Sequence, residues 1–316
     1  MEVLKETHFK NLGKKKAGKV RDIYEPSGRG QGSLIFITTD RHSSFDRVIA
    51  HIPHKGQVLN QVSAFWFEKT KDIVPNHVLA VPDPNVVVGQ MCTTVPVEAV
   101  VRGYLTGVTD TSIWTRYSSG QREFGKRKLP DGMQKNQRLP HPLFDPTTKE
   151  EGHDRTLTTE QMVAEGFISE KLLGEVEAVA LDLFERGQEL AAKQGVILVD
   201  TKYEFGMDEN GQLMLIDEIH TPDSSRYWQL DSYDERFSSR QEPEYFDKEF
   251  LRLWFKEHCD PYKDAVLPDA PEELVAELSR RYIQMYEQIT GEKFVPGERP
   301  IIQRIERNLK QFAVDS

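Results

Sequence analysis

Apolar residues fall along this chain as short unbroken runs and as helical stripes, and the two patterns predict different elements. Runs at 33–39 (SLIFITT), 196–199 (VILV) and 213–216 (LMLI) have the length and composition of buried strands. Residues 96–104 (PVEAVVRGY) read as another strand, one that ends on Arg102 and a glycine. Helical spacing runs through Leu59, Val62, Phe65 and Trp66 within 56–67, an aromatic stripe that reads as core. It returns over 159–194, and three more helices are predicted at 249–258, 271–289 and 304–312. Between Gly120 and Leu157, Pro, Gly and charged residues dominate without a sustained period, which predicts a long ordered or gating loop, or a lobe boundary. These elements predict an α+β chain: a β-rich lobe over 1–120, an α/β lobe over 121–240, and a helical segment over 241–316 packed on the second lobe.

A chain of 316 residues can bury a sizeable core. Its 38% hydrophobic and 29% charged content is that of a globular protein, and no apolar run approaches the roughly 20 residues that span a bilayer. The start, MEVLKE, has neither the basic region of a secretory signal nor the acid-poor character of a transit peptide, so a cytoplasmic address is expected. Cys92 and Cys259 stand far apart without a partner motif and read as ordinary thiols. The formal charge of −10 argues against broad nucleic-acid binding, although it conceals a basic stretch near the amino terminus.

Charge placement then singles out residues 196–226. The Asp208-Glu209-Asn210-Gly211 tetrapeptide has hairpin-turn chemistry, so the two apolar runs flanking it predict a hairpin. Alternation places Asp200, Lys202 and Glu204 on one face, and pairing centred on the turn brings Asp217 roughly opposite Lys202. Such a face must hold ion pairs, a metal or a charged ligand; carboxylate oxygens suit a Mg²⁺ that carries nucleotide phosphates, and a salt-bridge ladder would satisfy the same pattern.

The basic stretch GKKKAGKVRDIY at 13–24 predicts a second hairpin, whose glycines let backbone approach a ligand while Lys19 and Arg21 project to one side. It is not a Walker loop, and a solvated basic hairpin is the alternative. Residues 39–47 (TDRHSSFDR) form a dense polar loop after a strand; His42 belongs to no recognisable triad. Arg102 at its strand end suits a phosphate or carboxylate clamp, or a surface ion pair.

Seven ordered motifs, GKVRDIYE, TDRHSSFD, GQVLNQVSAFWF, VEAVVRGYLTG, LPHPLFDPTTKEEGHD, VDTKYEFG and IDEIHTPDSSRYW, together resemble the SAICAR synthetase family, from about Gly18 to Trp228. The resemblance implies a two-lobed fold whose ATP-binding lobe is similar to those of protein kinases and ATP-grasp enzymes. It implies ATP-dependent joining of carboxyaminoimidazole ribonucleotide to L-aspartate, giving SAICAR, ADP and phosphate, with ATP and Mg²⁺ as cofactors and small molecules as the partners. On the matching positions it puts Gly18, Lys19, Val20 and Arg21 over the ATP phosphates, and Glu204 and Asp217 on the metal, with Glu218 a further candidate. Backbone from Thr94 to Glu98 would receive adenine. Arg102, Asp223, Ser224, Ser225 and Arg226 would hold the ribonucleotide phosphate, Asp200 and Lys202 its ribose or base substituents, and Lys149 and Asp154 part of the substrate site. Residues 40–46 are possible contributors to the aspartate site.

Members of that family commonly run from Gly-Tyr-Leu-Thr-Gly directly into Ser, whereas Val108-Thr109-Asp110-Thr111 intervenes here, leaving Ser112 or Thr106 as the phosphate-contacting hydroxyl. The implied chemistry is phosphorylation of the imidazole carboxylate followed by attack of the aspartate amine on the acyl phosphate, with Lys19, Arg21, Lys202 and Mg²⁺ stabilising charge and Asp200 or Asp223 available to take a proton. A small-molecule kinase, a nucleotide sensor, and a ligase acting on another imidazole or carboxylate substrate are the competing readings.

Overall fold

The structure, a computed structural model, describes residues 1–26, 31–109, 111–148, 157–245 and 249–312. It divides into two compact units: Met1–Phe65, His77–Met91 and Phe246–Ser316 form the first, Trp66–Asn76 and Cys92–Tyr245 the second.

The first unit carries β1 (Lys14–Ala17), β2 (Arg21–Glu25), β3 (Ser33–Thr38), β4 (Arg41–Ser44) and β5 (Arg47–His51). Helix α1 (Lys55–Thr70) follows, with the division between units falling inside it, and then β6 (Val78–Asp83) and β7 (Val86–Gln90). Strands β1-β2-β3-β7-β6 make one antiparallel sheet. Its edge strand β1 is lysine-rich and largely exposed, which discourages pairing with another chain. Tyr24, Ile35, Ile37, Val86 and Val88 project from the sheet into a core shared with Leu4, Leu12, Ile305 and Leu309.

The second unit is built on β8 (Thr93–Leu105) and, further along, β13 (Val196–Met207). From β8 the chain passes through α2 (Ile113–Ser118), β9 (Glu123–Phe124), β10 (Arg127–Lys128), β11 (Gln137–Phe144), β12 (Thr147–Thr148), α3 (Thr159–Ala164) and α4 (Glu170–Lys193). After β13 come β14 (Leu213–Ile216), β15 (Ser225–Gln229) and α5 (Tyr233–Ser238). Helix α4 starts where Ser169 Oγ accepts from Leu172 N, and its stripe of Leu173, Val176, Ala180, Leu183 and Phe184 is buried. Each large member of that stripe contributes roughly 1.5–3 kcal/mol of burial. The remaining helices, α6 (Glu249–His258), α7 (Glu272–Thr290) and α8 (Ile301–Asn308), belong to the first unit.

The mixture of helix and sheet is the expected α+β class, but the divisions fall elsewhere than at 120 and 240. The carboxy-terminal helices, expected on the second lobe, are tied into the first unit by buried and half-buried polar bonds. Arg304 holds Asp83 through Nε at 2.9 Å and Nη2 at 3.1 Å, Ser279 Oγ donates to Pro53 O, and Gln57 bonds Val295 O and Gly297 N. The aperiodic stretch at 120–157 contains strand β11, which pairs with β8 through a register shift between Arg138 and Leu143. Pro140 and Pro142 sit on this edge strand, where a missing N–H costs least.

Candidate active site

Strand β13 organises the second unit's candidate site. One of its edges pairs with β8, setting Asp200 opposite Arg102, Lys202 opposite Val100 and Glu204 opposite Glu98, with a register shift between Glu204 and Gly206. Its other edge is shared: β15 covers Val196 to Thr201, and β14 covers Glu204 to Met207. Residues 217–224 connect β14 to β15 beside Lys202 and Tyr203, where Lys202 N donates to Ser224 O at 3.3 Å. The loop at 217–224 therefore emerges from a gap in the sheet edge. Val199, Thr201, Tyr203 and Phe205 are buried, and Lys202 and Glu204 are half-buried, as alternation predicts.

The hairpin register is one residue from the expected one. Glu204 faces Ile216, so Asp217 falls level with Tyr203, and it leaves the ladder in the left-handed region at φ 67°. Its charge is nonetheless felt at Lys202. Burial alone would lower that ammonium's pKa, but Glu98, Glu204 and Asp217 outweigh it and hold it above the ordinary lysine value. Lys202 Nζ donates to Glu98 Oε1 at 2.9 Å. Among the described residues no group of three or more His, Cys, Asp or Glu side chains converges as a metal cage. Two carboxylates bracketing a lysine fit a Mg²⁺ that takes its remaining ligands from water and substrate phosphates, which is how this ion is commonly held.

The loop at 217–224 is fastened internally. His220 is fully buried with φ 50°, its Nε2 lies 2.6 Å from Tyr203 Oη, and burial pushes its pKa down to about 3. Gly187 of α4 packs so closely that a Cβ there would lie 2.4 Å from His220 Cε1. Thr221 Oγ1 donates to Glu218 Oε2 and accepts from the main-chain N–H groups of Asp223 and Ser224. Ser224 is buried, with its hydroxyl engaged by Thr221, so it shapes the loop and does not face outward as a phosphate contact would. Ser225 Oγ lies 2.7 Å from Thr201 Oγ1, whereas Asp223 is exposed.

Arg102 and Arg226 approach the same carboxylate oxygen, Asp200 Oδ2, at 4.0 and 3.6 Å. Arg102 Nε also donates to Asp145 Oδ2 at 2.6 Å, and Asp145 accepts from Arg116 as well. Sequence reasoning singled out neither Arg116 nor Asp145, because their pairing joins α2 to the residue just beyond β11. Ser112 is buried and caps α2, its Oγ accepting from Thr115 N and lying 2.9 Å from Thr115 Oγ1. Gly107, at φ 102°, lets the chain pass Ser112, since a Cβ there would come within 2.4 Å of Ser112 Cβ. Thr106 Oγ1 is spent on Asn136 Oδ1. Of the segment expected to receive adenine, Glu98 is flanked by Glu204 on one side and Thr147 on the other and is ion-paired to Lys202, which leaves exposed Thr94 the more open position. Lys149 and Asp154 lie outside the described residues.

In the first unit, the turn carrying Gly18, Lys19 and Val20 is held from behind. Arg41 donates through Nη2 to Gly18 O and through Nε to Lys19 O, while Thr39 donates through N and Oγ1 to Val20 O. Three consecutive carbonyls are thereby pinned. Arg41 also pairs with buried Asp22, as does Lys15. Burial opposes ionisation of Asp22, but Lys15, Thr7 and Arg41 outweigh it and keep its carboxyl below the usual range. Lys19 Nζ meets Asp46 Oδ1 at 2.8 Å at the surface, and Arg21 begins β2 opposite Thr38. Of the glycines, Gly13 serves the hairpin itself: its φ is 88°, and a Cβ would strike Glu25 O at 2.1 Å. Asp46 sits at the tip of the β4–β5 turn, where both Phe45 and Asp46 have positive φ.

The profile described as SAICAR synthetase matches residues 14–268. The chain is 54% identical over 305 residues to phosphoribosylaminoimidazole-succinocarboxamide synthase of Legionella pneumophila (strain Paris), covering 95% of this chain and 96% of that one. It is 54% identical over 296 residues to the chloroplastic enzyme of Arabidopsis thaliana, covering 93% and 71%. Among solved structures, SAICAR synthase from Saccharomyces cerevisiae complexed with SAICAR superimposes with a TM-score of 0.77 at 30% identity, over 93% of this chain and all of that one. A SAICAR synthetase in complex with ADP gives 0.66 at 25% identity, over 90% and 100%. With residues 14–268 matched as one block and 54% identity to the Legionella pneumophila and Arabidopsis thaliana enzymes, the chain belongs to the SAICAR synthetase family.

Proposed function

We propose that this chain carries out its family's reaction through an acyl phosphate, with the β13 face as its chemical centre. It is an ATP-dependent ligase that joins carboxyaminoimidazole ribonucleotide and L-aspartate, yielding SAICAR, ADP and phosphate in de novo purine biosynthesis. A carboxylate is a poor acyl donor, and transfer of a phosphoryl group to it supplies a leaving group that the amine of aspartate displaces. The observation that carries the residue assignment is the convergence of Glu98, Glu204 and Asp217 on Lys202, beside the gap in the sheet edge.

In this reading Lys202 of the second unit stabilises charge on the transferred phosphoryl group. In the first unit, the pinned Gly18–Val20 turn, with Lys19 and Arg21, is the part that follows ATP phosphates. Glu204 and Asp217 would hold Mg²⁺, which when bound neutralises charge on the phosphate oxygens. Arg102 and Arg226 bind the ribonucleotide phosphate, with Ser112, Ser225 and Asp223 around them. Asp200 orients both arginines and takes up the amine proton, with Asp223 the other carboxylate in reach of that role. Main chain near Thr94 receives adenine. Lys149 and Asp154 complete the substrate site. Among the described residues no helix is long and apolar enough to cross a membrane, and a cytoplasmic address suits the reaction.

The assay is ADP release with Mg-ATP, the ribonucleotide and aspartate supplied separately and together, with product mass read in parallel. ADP and SAICAR formed only with both substrates support the ligase. ADP without SAICAR would reassign the chain to a kinase-type activity.

A further inference from the structure

Five charged side chains of the second unit form one line. Arg116 Nη2 donates to Asp145, Asp145 Oδ2 accepts from Arg102 Nε at 2.6 Å, Arg102 Nη1 lies 4.0 Å from Asp200 Oδ2, and Arg226 Nη1 lies 3.6 Å from that same oxygen. Three guanidinium groups thus share two carboxylates, leaving one positive charge in excess. The line is closed at one end and open at the other. The side chain of Arg116 is 14% exposed and its guanidinium lies over the Phe124 ring at 4.9 Å, whereas that of Arg226 is 40% exposed.

The closed end sets the charge balance of the line. Without Arg116, Asp145 and Arg102 form a neutral pair, Asp200 and Arg226 form another, and no charge is left over for an anion. With Arg116 present, Asp145 is neutralised from the buried side and the excess charge is carried by Arg102 and Arg226. Asp145 is anchored for this role: it is buried, and its N donates to Val100 O of β8 at 2.8 Å. Charges in this partly desolvated setting act over longer distances than exposed ones, because water and salt screen them less.

We propose that Arg116 is a positioning residue that sets the anion affinity of the Arg102–Arg226 clamp by taking up the charge of Asp145. The inference rests on the reading of Arg102 and Arg226 as contacts of the ribonucleotide phosphate. It extends that site to a buried pair that does not face the ligand.

The test is steady-state kinetics of four variants, with KM resolved for each substrate. Arg116→Gln keeps a hydrogen-bond donor for Asp145 but removes the charge, and it should raise the ribonucleotide KM about tenfold while leaving the ATP and aspartate values within about twofold. Asp145→Asn should lower the ribonucleotide KM, a sign that loss of packing or of clamp geometry does not produce. The double variant restores an excess of one positive charge and should return toward the parent value. It also removes the buried carboxylate that has lost one of its two arginine partners, so it covers the case in which Arg116→Gln alone fails to fold. Arg226→Ala is the control for the site. If Arg226→Ala raises the ribonucleotide KM while Arg116→Gln does not, or if Asp145→Asn and the double variant both raise it, the charge-balance proposal is overturned and the phosphate reading stands. If Arg226→Ala leaves that KM unchanged, the phosphate reading fails and the proposal falls with it.

Discussion

Lys202 Nζ and Glu98 Oε1 are joined at 2.9 Å between β13 and β8, at a level where Glu98 also stands directly opposite Glu204. The pair is more than a sheet ornament. Two carboxylates placed across a ladder repel each other, and a lysine two residues along β13 relieves that repulsion while remaining half-buried beside the loop at 217–224. A further cation or phosphate entering here meets preset charges of both signs.

Glu204 is the carboxylate whose loss should be most selective. Glu204→Gln preserves shape on a half-buried position, so thermal unfolding should be little changed while Mg²⁺-dependent turnover is abolished. Unchanged turnover would remove Glu204 from the metal site.

Arg226→Ala deletes the open end of the ionic line. The ribonucleotide KM should rise by roughly 10- to 100-fold, in keeping with the loss of a charge-assisted phosphate contact, and the ATP KM should change far less. A larger effect on ATP would assign Arg226 to the nucleotide.

Asp40 supplies a pH signature. Burial raises its carboxyl from 3.8 to about 6, despite bonds from Leu4 N and Gly56 N and the charges of Lys55 and Arg304. Since the folded state binds this proton more tightly than the unfolded chain, the contribution of Asp40 is most favourable below the unfolded pKa and is lost as pH rises through about 6. Relative to Asp40→Asn, the parent should therefore lose on the order of 2–3 kcal/mol of unfolding free energy between pH 4 and 7. Denaturant titrations of both proteins across that interval measure it; a difference that does not vary with pH would contradict the assignment.

Arg304→Leu leaves Asp83 buried without its bidentate partner and should destabilise the first unit by about 3–5 kcal/mol, whereas Arg304→Leu combined with Asp83→Leu should recover much of the loss. Calorimetry of the single and double variants separates the pair's net value from the cost of a stranded carboxylate.

Gly187→Ala places a methyl group 2.4 Å from His220 Cε1 and 2.7 Å from Leu198 Cδ2. Overpacking at this helix–strand contact should cost about 1–3 kcal/mol and move the loop at 217–224, so a fall in kcat should accompany the fall in melting temperature. Unaltered kcat in a destabilised variant would show that the loop does not follow α4.

Much of this molecule could be read locally. Period and composition identify β3, β8, β14, α1, α4, α6 and α7 because strand and helix faces repeat over a few residues, and alternation along 200–204 places Asp200, Lys202 and Glu204 together without knowledge of their neighbours. The ordered motifs carry the family. What local pattern could not supply are partners distant in sequence. Strand β11 is interrupted by prolines and exists through its pairing with β8. The carboxy-terminal helices join the first unit through Arg304 and Asp83, 221 residues apart. The turn of the β13–β14 hairpin runs from Asp208 to Gln212, closed by Asp208 N donating to Gln212 O at 3.0 Å with Gly211 at φ 76°, and this extra residue beyond the expected tetrapeptide shifts the register by one. Arg116 and Asp145 acquire meaning only when folding sets one carboxylate between two guanidiniums. Side-chain periodicity is a property of neighbouring residues, whereas burial, ion pairing and the pKa values that follow from them depend on which distant segments close over a group, and that is settled in three dimensions.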